Sequence, residues 1–170
     1  MIHEARDFSR VRFTGELSMK IRWTKQEVKF MKTLILFYSY TGSSKRFAEN
    51  LSKKMGADIE EVKTAKRPGT IAAYVLGSLS AMRQKSVIIN PMQADLSQYD
   101  HFILIAPIWA GNPAPAFNSM IDKLPAKNSV ELYLISGSGN SNRDKISSYV
   151  EDKGFKIFDY HNIKQNTIND

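Results

Sequence analysis

Three times along this chain, a short apolar run leads directly into a loop rich in glycine and hydroxyl side chains, and a segment of helical spacing follows. The runs span residues 33–38, 101–106 and 130–135, and such continuous runs are typical of central parallel strands covered on both faces. Strands that alternate with helices predict an α/β fold with a parallel sheet. Because ligands bind beyond the carboxyl ends of such strands, we expect the three loops to share one binding edge.

Two further strands complete the predicted sheet. Residues 58–62 and 155–161 carry strand-forming sequence, and residues 71–82 show apolar side chains at the spacing of a further helix. The third strand is expected to end abruptly at Pro107, because proline has no amide hydrogen to donate. The sequence therefore predicts five parallel strands.

The length of 170 residues fits a single well-buried domain, which we place at residues 31–163. The leader at residues 1–30 mixes charge and aromatic side chains without sustained period. We expect it to be disordered or an upstream extension with Met31 as the true start. The alternative is a genuine segment that packs on the domain or makes an oligomer contact. Residues 164–170 are expected to form a C-terminal tail.

Composition excludes several functional classes. The absence of cysteine rules out disulfides, thiolate metal sites and cysteine nucleophiles, so any redox chemistry needs a bound cofactor. No apolar run approaches the roughly 20 residues that span a bilayer, and no secretory signal is recognisable, so we expect a cytoplasmic protein that does not bind membranes. The net charge of +7 comes from scattered lysines and arginines, which disfavours nucleic-acid binding.

The first loop is the sharpest indication of a ligand. Its sequence is Ser39-Tyr40-Thr41-Gly42-Ser43-Ser44, and it precedes a helix whose free amides and dipole favour a phosphate. The alternative is that Ser43 or Ser44 is simply the N-cap of that helix. Neither a Walker loop nor a dinucleotide-binding glycine fingerprint is present, which disfavours ATP and NAD as the bound nucleotide.

The other two loops extend the pattern. They read Ala106-Pro107-Ile108-Trp109-Ala110-Gly111-Asn112-Pro113 and Ser136-Gly137-Ser138-Gly139-Asn140. In this order, after strands one, three and four, the three loops resemble those of the flavodoxin family, and the resemblance covers residues 32–163. It implies a flavodoxin-like three-layer sandwich with a five-stranded parallel sheet of order 2-1-3-4-5, and it implies FMN as the cofactor.

The resemblance also implies roles for individual residues. The FMN phosphate would be held by Ser39, Thr41, Gly42, Ser43 and Ser44. Trp109 would stack on the isoalloxazine, which would bury a large aromatic side chain; the alternative is that it covers the sheet edge or a neighbouring subunit. The polar edge of the ring would meet backbone groups of Ala110, Gly111, Gly137 and Asn140. The implied cofactor site is completed by Tyr40, Pro107, Ile108, Asn112, Ser136, Ser138 and Gly139.

The chain departs from the family pattern in three respects. The third loop, residues 136–142, lacks the tyrosine that often covers the other face of the ring, so that face would be open to a substrate. The chain is basic, whereas electron-carrier flavodoxins are usually acidic. Only about ten residues follow the fifth strand, too few for the last family helix at average length.

No metal site and no catalytic side chain is assigned from the sequence. His3, His101 and His161 lie far apart without metal-ligand spacing, and His101 is expected at the surface just before a strand.

The functional expectation is an FMN-binding electron-transfer protein whose partner is a redox protein or a small-molecule electron acceptor. A homodimer is left open. One alternative is a small NAD(P)H-dependent, FMN-containing reductase that acts on a quinone-type acceptor, so the sequence leaves open whether the protein is an enzyme. The other is a flavin-free interaction domain that keeps the fold.

Overall fold

The computed structural model describes residues 31–65, 80–125 and 129–168. The leader at residues 1–30 and most of the helix predicted over residues 71–82 lie outside these ranges. The described strands are β1 (Thr33–Phe37), β2 (Asp58–Glu61), β3 (His101–Trp109), β4 (Asn112–Pro113), β5 (Ser129–Ser136) and β6 (Lys156–Lys164). The helices are α1 (Ser43–Met55), α2 (Pro115–Lys123) and α3 (Arg143–Asp152), and 3-10 turns lie at Leu96–Gln98 and Gln165–Thr167.

The five long strands form a parallel sheet in the order β2-β1-β3-β5-β6, and β4 pairs antiparallel with the end of β3. When only the parallel strands are counted, this is the predicted order 2-1-3-4-5, which is confirmed. Ile35 of β1 lies in register between Ile59 of β2 and Ile103 of β3. The carboxyl ends of β1, β3 and β5 therefore lie along one edge of the sheet.

Strand side chains alternate between two cores, one on each face of the sheet. One core contains Leu34, Leu36, Phe102, Leu104, Val130, Leu132 and Leu134, and the other contains Ile35, Phe37, Ile103, Ile105 and Ile135. Helices α2 and α3 cover the first core through residues such as Phe117 and Ile146. Helix α1 covers the second core through Ala48, with Phe47 and Leu51 alongside. Each fully buried side chain of this size stabilises the fold by roughly 1.5–3 kcal/mol, and the predicted three-layer arrangement is confirmed.

In the described ranges, none of the helices has both the length and the apolar character that a membrane crossing requires.

Strand β3 does not end at Pro107, as expected, but continues to Trp109. Pro107 still lies opposite Ile135 of β5, and its carbonyl accepts a hydrogen bond from the amide of Ala114 at 2.9 Å. On the other side, the register with β1 reaches only Ile105. Pro107 therefore lies beyond the end of the pairing with β1, where β3 needs fewer backbone donors, so the lack of an amide hydrogen does not end the strand.

Regular structure continues past residue 163 into the predicted C-terminal tail. Strand β6 includes Lys164, and after a 3-10 turn Ile168 is 9% exposed and packs in the core beneath α1.

The carboxylate of Asp122 on α2 joins three segments. Its Oδ1 lies 2.7 Å from Nζ of Lys153, and the hydroxyl of Ser86 donates to its other oxygen. Burial alone would raise the pKa of Asp122, but the hydrogen bonds from Lys153 and Ser86 outweigh it and hold the pKa below its ordinary value. A lowered pKa stabilises the fold above the unfolded pKa of about 3.9, and this stability is lost as the pH falls through the folded pKa.

Replacing Asp122 by asparagine should therefore lower the free energy of unfolding at pH 7 by about 0.2–1 kcal/mol, the range of solvent-exposed ion pairs. The difference from the wild type should shrink as the pH falls below about 4, since both proteins then lack the charge. Urea unfolding at pH 7 and pH 3 measures this, with Asp152→Asn, an exposed carboxylate at the end of α3, as the control. An equal loss of unfolding free energy at both pH values would contradict the conclusion that the charge of Asp122 stabilises the fold.

Candidate functional site

The first loop ends at Gly42, which is the N-cap of α1 and has φ 99°. The alternative in which Ser43 or Ser44 caps the helix is wrong, because both residues lie inside its first turn. The amide of Gly42 donates to Oγ of Ser39 at 3.1 Å, which holds the loop closed. Because a glycine N-cap has no side chain to offer, the first amides of α1 receive no cap from it.

The residues of the first loop divide by exposure. Thr41 and Gly42 are exposed, whereas the serines at positions 43 and 44 are only 7% and 2% exposed. Both serines are therefore largely covered by the rest of the domain, and Thr41 is the exposed hydroxyl-bearing residue of this loop.

The charge at the start of α1 is unusual for a helix N-terminus. Its first turn contains no acidic residue, although carboxylates are the side chains that the positive end of a helix favours. Instead, Lys45 and Arg46 are exposed there. Two cations at the positive end of a helix make this end of the sheet attractive to an anion from solution.

The second loop is a tight hairpin. Trp109 of β3 pairs with Asn112 of β4, and the two residues between them, Ala110 and Gly111, have φ 47° and 80°. Positive φ at both central positions is the geometry of a type I′ turn. The side-chain amide of Asn112 donates to the carbonyl of Ala110 at 3.1 Å, whereas its Oδ1 is buried and has no hydrogen-bond partner among the described residues.

Trp109 contacts two tyrosines that follow β1. Its ring centroid lies 6.3 Å from that of Tyr38 and 5.7 Å from that of Tyr40, with interplanar angles of 78° and 86°. These are edge-to-face contacts, so neither tyrosine stacks flat on the indole. Trp109 itself is half-buried, and it ties the second loop to the first.

The third loop is held by its own serine. The hydroxyl of Ser136 donates to the carbonyl of Asn140 at 3.1 Å and accepts from the amide of Asn140 at 3.0 Å. The amide of Asn140, which was expected to meet the ring edge, already donates to Ser136 within the loop. A contact with a ring would therefore have to share this hydrogen bond. The amide of Asn142 donates to the carbonyl of Gly111 at 2.7 Å, which links the third loop to the second.

The structure therefore brings the three predicted loops together at one edge, through Trp109 with Tyr40 and through Gly111 with Asn142. Whether these residues contact a cofactor remains a prediction.

Two cavities border the first and third loops. One, of about 190 Å³, lies beside Ser39 and reaches the end of β2 and Asn90. The other, of about 600 Å³, is open and lies between Arg46, Gly137 and the segment that follows β6.

Sequence reasoning missed two sets of residues at these cavities. Arg46 could have been found, because the first turn of a helix seldom combines adjacent cations with no carboxylate. Gln165 and Asn166, which line the second cavity, lie in the supposed tail and gave no signal, because the return of that segment onto the sheet depends on tertiary packing.

No protein-family profile and no curated protein matches the sequence. Solved structures do match the fold. A flavoprotein from Lactobacillus acidophilus NCFM, crystallised in complex with FMN, is 20% identical, with a TM-score of 0.65 over 81% of this chain and 95% of its own. Proposed flavoproteins from Bacteroides eggerthii and Bacteroides uniformis are 19% and 20% identical, with TM-scores of 0.67 and 0.59, over 81% of this chain and 93% and 94% of theirs.

At this level of identity, the similarity shows the fold. The chain has a flavodoxin-like α/β fold, in which the three loops occupy the carboxyl edge of the parallel sheet. The fold that the sequence resemblance implied is confirmed.

The hairpin generates a test of the loop geometry. Ala110 occupies a positive φ that asparagine tolerates better, so Ala110→Asn should stabilise the protein by about 1 kcal/mol and raise Tm by about 2–4 °C. Thermal unfolding measures the shift. Ala65→Asn is the control, since Ala65 is exposed and its φ is not positive. A lower Tm for Ala110→Asn, or equal shifts in both variants, would contradict the type I′ turn.

Proposed function

We propose that this protein binds FMN by its phosphate and serves in electron transfer. The observation that carries the proposal is the start of α1, where a glycine N-cap and two exposed cations meet an otherwise uncapped helix end at the carboxyl edge of β1. A phosphate monoester at this point would accept hydrogen bonds from the first amides of the helix and would be favoured by the helix dipole.

The phosphate contacts would come mainly from backbone. The amides that follow Gly42 point along the helix axis toward the edge, and the hydroxyl of Thr41 is exposed beside them. Ser43 and Ser44, which are largely buried, would form the first turn behind the phosphate, and Ser39 would hold Gly42 through its hydrogen bond. Lys45 and Arg46 would add positive charge.

Trp109 would supply the aromatic surface for the ring. It is held edge-on by Tyr38 and Tyr40, so its orientation is fixed while neither tyrosine occupies a stacked position. A flat heteroaromatic ring stacked on the half-buried indole would bury apolar area that is now exposed.

The tip of the hairpin would meet the polar edge of the ring. Ala110 is exposed and Gly111 has no side chain, so backbone groups there allow close approach. Asn112 orders the tip through the hydrogen bond from its side-chain amide to the carbonyl of Ala110. FMN supplies one- or two-electron redox chemistry when bound, and the contacts of these residues would tune its potential.

The similar structures support the same function by analogy. The Lactobacillus acidophilus flavoprotein was crystallised with FMN, and it shares this fold over most of both chains. Analogy of fold alone does not define function, so the proposal depends on the geometry of the three loops.

Gly42→Val should weaken FMN binding by at least about tenfold, equivalent to about 1.4 kcal/mol. The expected loss of affinity comes from backbone strain, because valine rarely adopts the φ of 99° at this position and would move the N-cap and the amides that follow it. Crowding does not contribute, since no described atom lies within 4 Å of a Cβ built on Gly42. Quenching of FMN fluorescence during a titration measures the Kd. Gly56→Val is the matched control, since Gly56 has φ 68° and equally open space at the opposite end of α1.

Both glycine variants are expected to lose stability, but only Gly42→Val should lose FMN affinity. Equal affinity in the two variants would contradict the phosphate assignment.

Trp109→Ala should also weaken FMN binding by about tenfold, because it removes the stacking surface. Trp109→Phe should retain most of the affinity, since it keeps a flat ring at the same place. The same fluorescence titration separates the two. If the Trp109→Ala variant binds FMN as tightly as the wild type, the indole covers the sheet edge and does not hold the flavin ring.

The carrier and the reductase differ in turnover. The third loop contains no tyrosine to cover the second ring face, which favours access by a small substrate. In the reductase version, NAD(P)H supplies electrons and a quinone-type acceptor takes them. Steady-state NAD(P)H oxidation by the FMN-loaded protein would support the reductase, and its absence would support the carrier. If FMN fails to raise Tm, the flavin-free interaction domain is favoured over both.

A further inference from the structure

A cluster of ionisable side chains lies on the α1 face of the sheet, away from the three loops. We refer to His101, Glu131, Tyr133, Asp159 and His161 as the histidine–carboxylate cluster. Parallel pairing places Glu131 of β5 opposite Asp159 of β6, and Tyr133 opposite His161. Along β5, Glu131 lies five residues before Ser136, which is roughly 16 Å from the third loop. The cluster is therefore separate from the proposed cofactor site.

Three of these side chains converge on a common point. The Nε2 atom of His161 lies 3.1 Å from Oε1 of Glu131 and 3.2 Å from Oδ2 of Asp159. All three ligand atoms fall within 4.8 Å of one another. In a tetrahedral site with metal–ligand distances of about 2.0–2.2 Å, neighbouring donors lie about 3.3–3.6 Å apart. The two distances from Nε2 of His161 are close to this spacing.

One nitrogen of this cluster faces two carboxylate oxygens. A single Nε2 proton on His161 points well at one oxygen, yet two carboxylate oxygens lie at nearly equal distances from that nitrogen. A cation among the three atoms would interact with a lone pair of each.

His101 provides a second, independent indication. The sequence placed it at the surface before β3, but it begins the strand and is fully buried, with 0% exposure. Its Nδ1 lies 3.0 Å from Oγ of Ser129, and its Nε2 has no hydrogen-bond partner in the part of the chain that the structure describes. That nitrogen is aimed at the cluster, 3.5 Å from Oε2 of Glu131, which is an ion-pair distance without a formed hydrogen bond.

Glu131 is oriented by its neighbours. The hydroxyl of Tyr133 donates to Oε1 at 2.7 Å, and His101 faces the other oxygen. The carboxylate is thus held from both sides, with only 11% of its side chain exposed. Metal-binding carboxylates are commonly held in this way by a second layer of polar groups.

We propose that Glu131, Asp159 and His161 bind one divalent transition-metal ion of the zinc class, with His101 and Tyr133 as positioning residues for Glu131. One imidazole nitrogen and two carboxylate oxygens form a donor set that suits Zn²⁺. The side chains of Asp159 and His161 are 47% and 34% exposed, so an ion reaches the site from solvent. Three protein ligands leave the fourth position to water.

No local sequence pattern marks this site, because its ligands come from two strands. Asp159 and His161 are two residues apart on β6, whereas Glu131 lies on β5 and joins them only through the register of the sheet.

Isothermal titration of Zn²⁺ into the tag-free, chelator-treated full chain tests the proposal. We expect one ion per chain in the wild type. Asp159→Asn and His161→Ala should weaken binding at least about tenfold, and Asp152→Asn, an exposed carboxylate outside the cluster, should leave it unchanged. Circular dichroism checks that each variant folds, and Asp159→Asn is the main test because that side chain is the most exposed of the three ligands.

Two further readouts make the result decisive. Zn²⁺ should raise Tm in the wild type but not in Asp159→Asn, and Co²⁺ should give visible d–d bands that the same variant loses. The absence of Zn²⁺ binding would overturn the proposal, as would unchanged binding in both ligand variants, which would place the ion elsewhere. FMN affinity should be the same in all of these variants, so the outcome is independent of the proposed cofactor.

Discussion

The parallel pairing of β1 with β3 and of β3 with β5 is the constraint on which the rest of the structure depends. Ile35 pairs with Ile103, and Leu104 pairs with Leu132, so the three strands run in register and end along one edge. Their side chains alternate between two apolar cores, and burial of both faces stabilises this register because a slip by one residue would exchange the two faces. Loops that are distant in sequence therefore meet at a single place.

At that place, the loops are joined by specific contacts. Trp109 touches Tyr40, and the carbonyl of Gly111 accepts from the amide of Asn142. The second loop thus bridges the other two, and its turn at Ala110 and Gly111 sets where the indole lies. Next to it, the first turn of α1 combines the helix dipole with Lys45 and Arg46 and contains no acidic residue; Glu49, 3.9 Å from Lys45, lies one turn further on. An anionic, flat heteroaromatic ligand matches both features, which is why the proposed function favours FMN.

Local sequence predicted much of this arrangement, and long-range pairing determined the rest. The strands around Ile35, Phe102 and Leu132 could be found because continuous apolar runs identify buried parallel strands. The extension of β3 past Pro107 could not be predicted, because it depends on the pairing with β1 ending at Ile105 while the pairing with β5 continues. The burial of His101 beside Glu131 likewise arises from the register between two strands, which no local pattern encodes. The type I′ turn was hidden because Ala110 is not a residue that favours positive φ.

The central claim is that the edge formed by the three loops binds FMN. The most direct measurement is the visible absorption spectrum of the purified protein after FMN is added and the excess is removed by gel filtration. A flavin band that co-elutes with the protein at about one flavin per chain is the result we expect from one phosphate-binding helix end per domain. A spectrum without that band would contradict the claim and leave the flavodoxin-like fold without its flavin.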